Sequence, residues 1–421
     1  MLDRTIAPPF NRIQKIVIKQ PEKQTLRNGI DLFSLRSGSQ EVLQLDILIN
    51  TGKYNEVHNG SAFFAGKMLS EGIPGMSSSE ISELFDSLGA QIDINPGLDQ
   101  LEISIHCLSK HFLELSGVLK DMLTSPTIPE KELDTLKNIR LQSLHVNNEK
   151  SGFVASKLFR ESLFGSKHPY GIVLNDDDIL STNQMIVQDY VRENIINQPF
   201  TLIASGNYTD QILESIVATF EGIDIGTPNV PDIVESTSLG GNIYEEKNDA
   251  VQTSIRIGCT SLSMNHPDYL TLLVTNEILG GYFGSRLMKN IREEKGLTYG
   301  ISSGIAHLTH GNYFIVSADV KKENREEAIE EIKKEISILQ TQLVSDDELD
   351  TVRNYMLGQI QSSVNTPFEL AAKFKLLFVH GLDYSYYTSL IHTINHVTPG
   401  EILEISNKSL PLDSMRVISV G

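Results

Sequence analysis

Two histidines four residues apart on a helix share a face and can hold one metal ion. The stretch HTINH offers that spacing at His392 and His396. No acid accompanies them, so a solvated or capping role is expected. His307 and His310, in HLTH, stand in or beside a strand-rich segment, where a spacing of three sends side chains to opposite faces. His58 and His106 have no partners in the sequence. Cys107 and Cys259 both sit in alternating apolar runs, LEISIHCL and VQTSIRIGCT, where a thiol behaves as a small buried hydrophobe, and no CxxC pair is present. The glycines of LGG and GSRL lack the spacing and the following Ser/Thr of a phosphate loop. In IREEKGLTY, periodicity alone makes Arg292, Glu293, Glu294 and Lys295 the solvated last turn of a helix stopped by Gly296, with Tyr299 an ordinary strand aromatic.

The elements that must position these groups fit a chain of 421 residues, a length that favours two domains or two pairs of smaller units. Composition is that of a globular protein, 40% hydrophobic and 21% charged. With Lys+Arg 35 against Asp+Glu 54 the net charge is -19, which opposes nucleic acid or anionic lipid as a partner. No uninterrupted apolar run is long enough for a membrane span, and the first residues lack the apolar core of a signal peptide. A cytoplasmic location is therefore expected, or a periplasmic one had a signal peptide been removed.

Strand signals open the first half at GIDLFSLRS and at VLQLDILINTG, where Leu43, Leu45, Ile47 and Ile49 alternate. A helix is expected at NGSAFFAGKML, and a second after Ser77, which has capping-box spacing to Glu80 and precedes the one-faced set Ile81, Leu84, Phe85 and Leu88. AQIDINPGLDQLEISIHCL reads as a strand pair turning at NPGLD, followed by helices over 111–123 and 129–148. Residues 224–241, aperiodic and ending in paired glycines, read as a linker between domains at 1–223 and 242–421. The second half repeats the programme: TSIRIGCTS and the segment after it match the strand and helix at QLDILINTG and NGSAFFAGKML. ASKLFRESLFG (155–165) also sets beside AAKFKLLFVHG (371–381), with Ala155/Ala371, Lys157/Lys373 and Gly165/Gly381 each 216 positions apart. A duplicated α+β domain is expected.

The run ILGGYFGSRLMKNIREEKGLTYGISS (278–303) resembles the second-domain signature of the pitrilysin/insulinase family of zinc metallopeptidases, which includes mitochondrial processing peptidase. HPYG (168–171), LIASGN (202–207) and HVTPGEI (396–402) fall in the family's order, so the resemblance spans most of the chain. It implies two similar α+β domains, each a mostly antiparallel sheet with helices packed on it, facing each other across a cleft. Fold alone does not imply activity.

In active members of the family the first-domain helix carries His-x-x-Glu-His, whose histidines bind zinc and whose glutamate takes a proton from the metal-bound water. Aligning Gly60, Ala62, Phe64, Met68 and Leu69 on that context puts Phe63 and Lys67 at the histidine positions and Gly66 at the glutamate. None of the three can do the chemistry: a phenyl ring has no lone pair, glycine has no side chain, and an ammonium repels a cation. The family's third ligand, a glutamate about 77 residues beyond the second histidine, would fall near Arg140 to Leu144, where no acid stands, with Glu149 a few residues further on. No metal is expected in this chain.

The second-domain pair is intact. The resemblance gives Arg292 and Tyr299 the role of projecting toward a zinc site, where guanidinium donors hold a peptide carbonyl and a phenol donates to the developing oxyanion. Some members divide the two half-sites between chains. The implied function is thus a subunit without zinc that supplies Arg292 and Tyr299 to a partner carrying His-x-x-Glu-His and the zinc, acting on an extended peptide that pairs with a sheet edge. The alternative is a structural or peptide-binding protein of the same fold, comparable to respiratory-complex core subunits. A third reading, an autonomous peptidase with other ligands, is opposed by the missing motif.

Overall fold

A computed structural model describes residues 13, 16–236 and 241–421. In the first half the strands are β1 (Glu22–Thr25), β2 (Asp31–Arg36), β3 (Val42–Ile49), the short β4 (Gly72–Ile73) and β5 (Met76–Ser77), β6 (Gln91–Pro96), β7 (Leu101–Leu108) and β8 (Phe200–Gly206). Its helices are α1 (Ser61–Met68), α2 (Ser78–Ser87), α3 (Phe112–Thr124), α4 (Glu130–Asn148), α5 (Ser151–Phe164), α6 (Asp176–Ser181), α7 (Gln184–Asn194) and α8 (Asp210–Glu221). The second half has strands β9 (Ile243–Glu245), β10 (Gln252–Thr260), β11 (Thr298–Ala306), β12 (Tyr313–Lys321) and β13 (Arg416–Val420). Its helices are α9 (Tyr269–Asn276), α10 (Arg325–Thr341), α11 (Asp346–Ser362), α12 (Pro367–Val379), α13 (Ser385–His396) and α14 (Pro399–Ser409).

Local chemistry explains most of these boundaries. Glu80 accepts from the Ser77 backbone N–H at 2.8 Å, so α2 begins at the expected capping box. Gly97 N–H donates to Gln100 O at 2.8 Å and closes the β6–β7 turn within NPGLD. Residues 224–236 form no helix or strand, and Val234 N–H donates to the Tyr54 phenol at 3.0 Å; residues 237–240 of the expected linker lie outside the described residues.

Apart from β1, which has no counterpart in the second, the two sheets share one topology. The first runs β1-β2-β8-β3-β7-β6 and the second β11-β12-β10-β13-β9. β3 is flanked by antiparallel β7 and β8, and β10 by antiparallel β12 and β13. β2 runs parallel to β8 as β9 does to β13. The duplication inferred from a constant offset is thus visible strand by strand.

Packing crosses between the halves. α5, from the first half, buries Val154, Ala155, Phe159 and Leu163 against Ile418 and Val420 of the second sheet. Its counterpart α12 buries Leu370, Ala371 and Phe374 against Phe33, Leu35, Leu48 and Ile203 of the first. Ala155 and Ala371, the offset pair, are both fully buried there, because a small side chain lets a helix approach a sheet closely. Polar contacts hold each exchanged helix: Arg256 of β10 donates to Ser156 Oγ at 3.1 Å on α5, and Lys375 of α12 pairs with Glu102 of β7. Among the described residues no helix is long and apolar enough to cross a membrane.

Candidate functional site

The first-half helix α1 starts at Gly60, whose φ of 94° only glycine adopts readily. Glu56 caps it, accepting from Gly60 N–H at 3.0 Å and Ala62 N–H at 2.9 Å. Burial outweighs those two donors and nearby Lys53 and raises the Glu56 carboxyl to about 7. Phe64 and Met68 face the core.

The three motif positions are filled by other interactions. The Phe63 ring carries the Arg140 guanidinium 4.3 Å from its centroid. Arg140 reaches across from α4, the helix on which the resemblance would seek the third ligand. Lys67 Nζ donates to Ile94 O of the edge strand β6 at 2.5 Å. Gly66 lets α1 lie on that strand: a Cβ there would stand 3.0 Å from Pro96 Cβ and 3.1 Å from Leu101 Cδ1. Leu144, beside Arg140, is buried. The residues present do not fit a zinc ion: a cation already occupies the ring face, a second is bonded to the strand, and there is no room for a longer side chain at Gly66 without moving β6. Among the described residues no group of three or more His, Cys, Asp and Glu could hold a metal.

The second-half motif has a different geometry. The expected helical segment after TSIRIGCTS is broken: α9 runs into a π-helical turn over Glu277–Gly281, the chain bends, and a second π stretch spans Met288–Glu294. At the break Gly280 lies against β11 so closely that a Cβ would meet Ser303 Oγ at 2.6 Å and Ser303 N at 2.7 Å. Such π stretches are rare and cluster at functional sites. Gly296, with φ 64°, ends the helix as expected.

Arg292 lies on the second π stretch, Tyr299 on β11 at a register break between Thr298 and Ile301. The two side chains meet: the Arg292 guanidinium sits 4.8 Å from the Tyr299 ring centroid and 4.9 Å from that of Phe283. Both rings are open to solvent, Tyr299 at 86% and Phe283 at 62%. A planar cation thus lies within 4.9 Å of the centroids of two exposed aromatic rings, at a bulge beside a helix end.

The other candidates separate. His392 and His396 stack 4.2 Å apart on an exposed face, with His396 Nδ1 2.9 Å from His392 O, the local role expected of them. His307 pairs with the Tyr269 hydroxyl at 2.8 Å, and burial pushes its pKa down to about 4. His310 lies over the Tyr54 ring at 4.1 Å, in a junction where its backbone N–H donates to Tyr170 of HPYG and Tyr170 pairs with Asp99. His58 contacts Ser181 Oγ at 3.1 Å. Both cysteines are free and buried, and burial pushes the Cys107 and Cys259 thiols up to about 11 and about 12. Sequence reasoning gave no role to Glu56 or Phe283, and it named Arg140 only as the start of a stretch without an acid.

Comparison with known proteins agrees with this architecture. A family model described as "Insulinase (Peptidase family M16)" matches residues 33–168, and one described as "Peptidase M16 inactive domain" matches residues 186–356. The chain is 21% identical over 348 residues to a Bacillus subtilis protein named "Uncharacterized zinc protease YmxG", covering 82% of this chain and 85% of that one. It is 20% identical over 358 residues to a Helicobacter pylori protein named "Non-peptidase homolog YmxG", covering 82% of this chain and 80% of that one. Bovine mitochondrial-processing peptidase subunit beta is 22% identical over 309 residues, covering 71% and 60%. Among solved structures, a peptidase M16 inactive domain from Pseudomonas fluorescens superposes with a TM-score of 0.86 at 22% identity, covering 95% of this chain and 98% of that one. The names of the relatives point both toward and away from proteolysis, so the side chains must decide that question. This chain belongs to the M16, or insulinase-type, peptidase family, and its first half lacks the side chains with which that family's motif binds metal.

Proposed function

We propose that this chain is the subunit without zinc in a heteromeric M16 peptidase, inactive alone, and that it presents Arg292 and Tyr299 to the metal site of a partner of the same family. The observation that carries the reading is the contrast between an α1 helix whose motif positions are occupied by other contacts and an Arg292–Tyr299 pair that is assembled and solvent-facing. The metal and hydrolysis itself belong to the partner. This chain's part is to hold and orient an extended peptide: the guanidinium donates to a main-chain carbonyl, and the Tyr299 hydroxyl donates to an oxygen that gains charge. The relative named a non-peptidase homolog favours a second reading, a member that binds peptides or partners without proteolysis.

The test is to purify the chain alone and with a zinc-motif family member, measuring bound zinc and cleavage of unstructured peptides. The chain alone should hold no stoichiometric zinc and cleave nothing, and the mixture should cleave. Stoichiometric zinc with activity in the lone chain overturns the reading. An active mixture whose rate is unchanged by Arg292→Ala and Tyr299→Phe would transfer support to the second reading.

A further inference from the structure

We infer that the former metal pocket of the first half is an anion site that takes a carboxylate-bearing peptide segment, gripped by Lys53, Arg140, Lys157 and Arg160. Two depressions of about 210 Å3 each lie side by side and share Lys53, Leu98, Arg140 and Leu174 as walls. The cations converge from three directions: Lys53 from the turn before α1, Arg140 from α4, and Lys157 and Arg160 from the face of α5 turned away from the second sheet. All four are half-buried, and none has a carboxylate within 4.0 Å among the described residues. The chain carries 54 acids to 35 bases, so four unpaired cations around one hollow are not a consequence of composition.

What bonds they do make leave donors free. Lys53 Nζ donates to Ile172 O at 2.6 Å, and Arg140 lies over the Phe63 ring with its buried Nε unpartnered. Glu56, the acid that lines the first depression, already accepts from two backbone N–H groups. Desolvation lowers the pKa of both Lys53 and Arg140, a cost that a bound anion relieves. The apolar walls, Phe63, Pro96, Leu98 and Phe153, suit the aliphatic stem of a glutamate or a chain end, and Pro96 is the last residue of edge strand β6. An overall charge of -19 repels acidic ligands at a distance, so the local site selects them by close contact. The inference requires neither a partner subunit nor zinc, and its failure would leave the role of Arg292 untouched.

The test uses the full chain alone and fluorescence anisotropy with a short labelled peptide of alternating alanine and glutamate with a free carboxyl end. The control has glutamine at those positions and an amidated end. The acidic peptide should bind about tenfold or more tightly than the control, weaken between about 50 and 300 mM salt, and lose about tenfold in affinity to Lys157→Gln/Arg160→Gln. The double variant should keep or raise its melting temperature, since it removes like-charge repulsion. Equal binding of both peptides, or an affinity indifferent to the double variant, overturns the inference. Should inorganic phosphate stabilise the wild type and not the variant while the acidic peptide fails to bind, the pocket is a small-ion site and the peptide assignment is wrong.

Discussion

The two halves carry equivalent sheets but opposite chemistry. In the first, the position where a metal ligand would stand is a phenyl ring under a guanidinium, Phe63 beneath Arg140. In the second a guanidinium again meets aromatic rings, yet there the stack faces solvent, with Arg292 between Phe283 and Tyr299. The same pairwise contact lines a depression in one half and stands on the open surface in the other; what differs is burial. In the first half the cation–aromatic contact forms part of a depression's wall, whereas in the second it stands exposed at a bulged strand edge.

The sharpest way to break this comparison is mutation of both halves in the proposed mixture with a zinc-motif family member. Arg292→Ala should lower kcat/KM by about 100-fold or more and Tyr299→Phe by about 10- to 100-fold. Lys67→Ala should stay within about threefold, because its ammonium contacts β6 rather than substrate. A comparable loss from Lys67→Ala would mean that the first half still takes part.

Next in size is the glycine on which the open half depends. Gly280→Ala sets a Cβ against backbone and should cost about 2–3 kcal/mol in urea unfolding. Gly300→Ala, beside Tyr299 and with nothing within 4 Å, should cost less than about 0.5 kcal/mol.

A pH experiment reads the closed half. The Glu56 carboxyl is raised from 4.5 to about 7, so the stability it contributes is fully present below the unfolded value and is lost as pH rises through about 7. Glu56→Gln should flatten that fall, by up to about 3 kcal/mol between the two pH limits. A slope unchanged in the variant would mean that Glu56 ionises freely. A smaller loss is expected of Arg140→Met, which removes the contact with Phe63 and should cost about 1 kcal/mol in urea unfolding.

Local signals in the sequence were legible where local contacts decide structure. The Ser77–Glu80 box, the turn at NPGLD and the Gly296 stop each involve residues a few positions apart, and each is where the pattern put it. Arg292 and Tyr299 could be singled out because their seven-residue spacing sits in a recognisable run. Their stacking with Phe283 was not visible, because it needs the bend after Gly281 that no 3.6-residue period encodes. The closed pocket was legible only as missing ligands. Its new occupants come from α4, α5 and the turn at Lys53, and nothing in their spacing says that the fold brings them together.

The constant offset of 216 marked α5 and α12 as equivalents but gave no sign that they trade places. That trade makes the two halves links of a chain rather than beads on a string. Neither sheet can be covered by its own half alone, so a protein nicked within 224–236 would be held as a single particle by what each fragment lends the other.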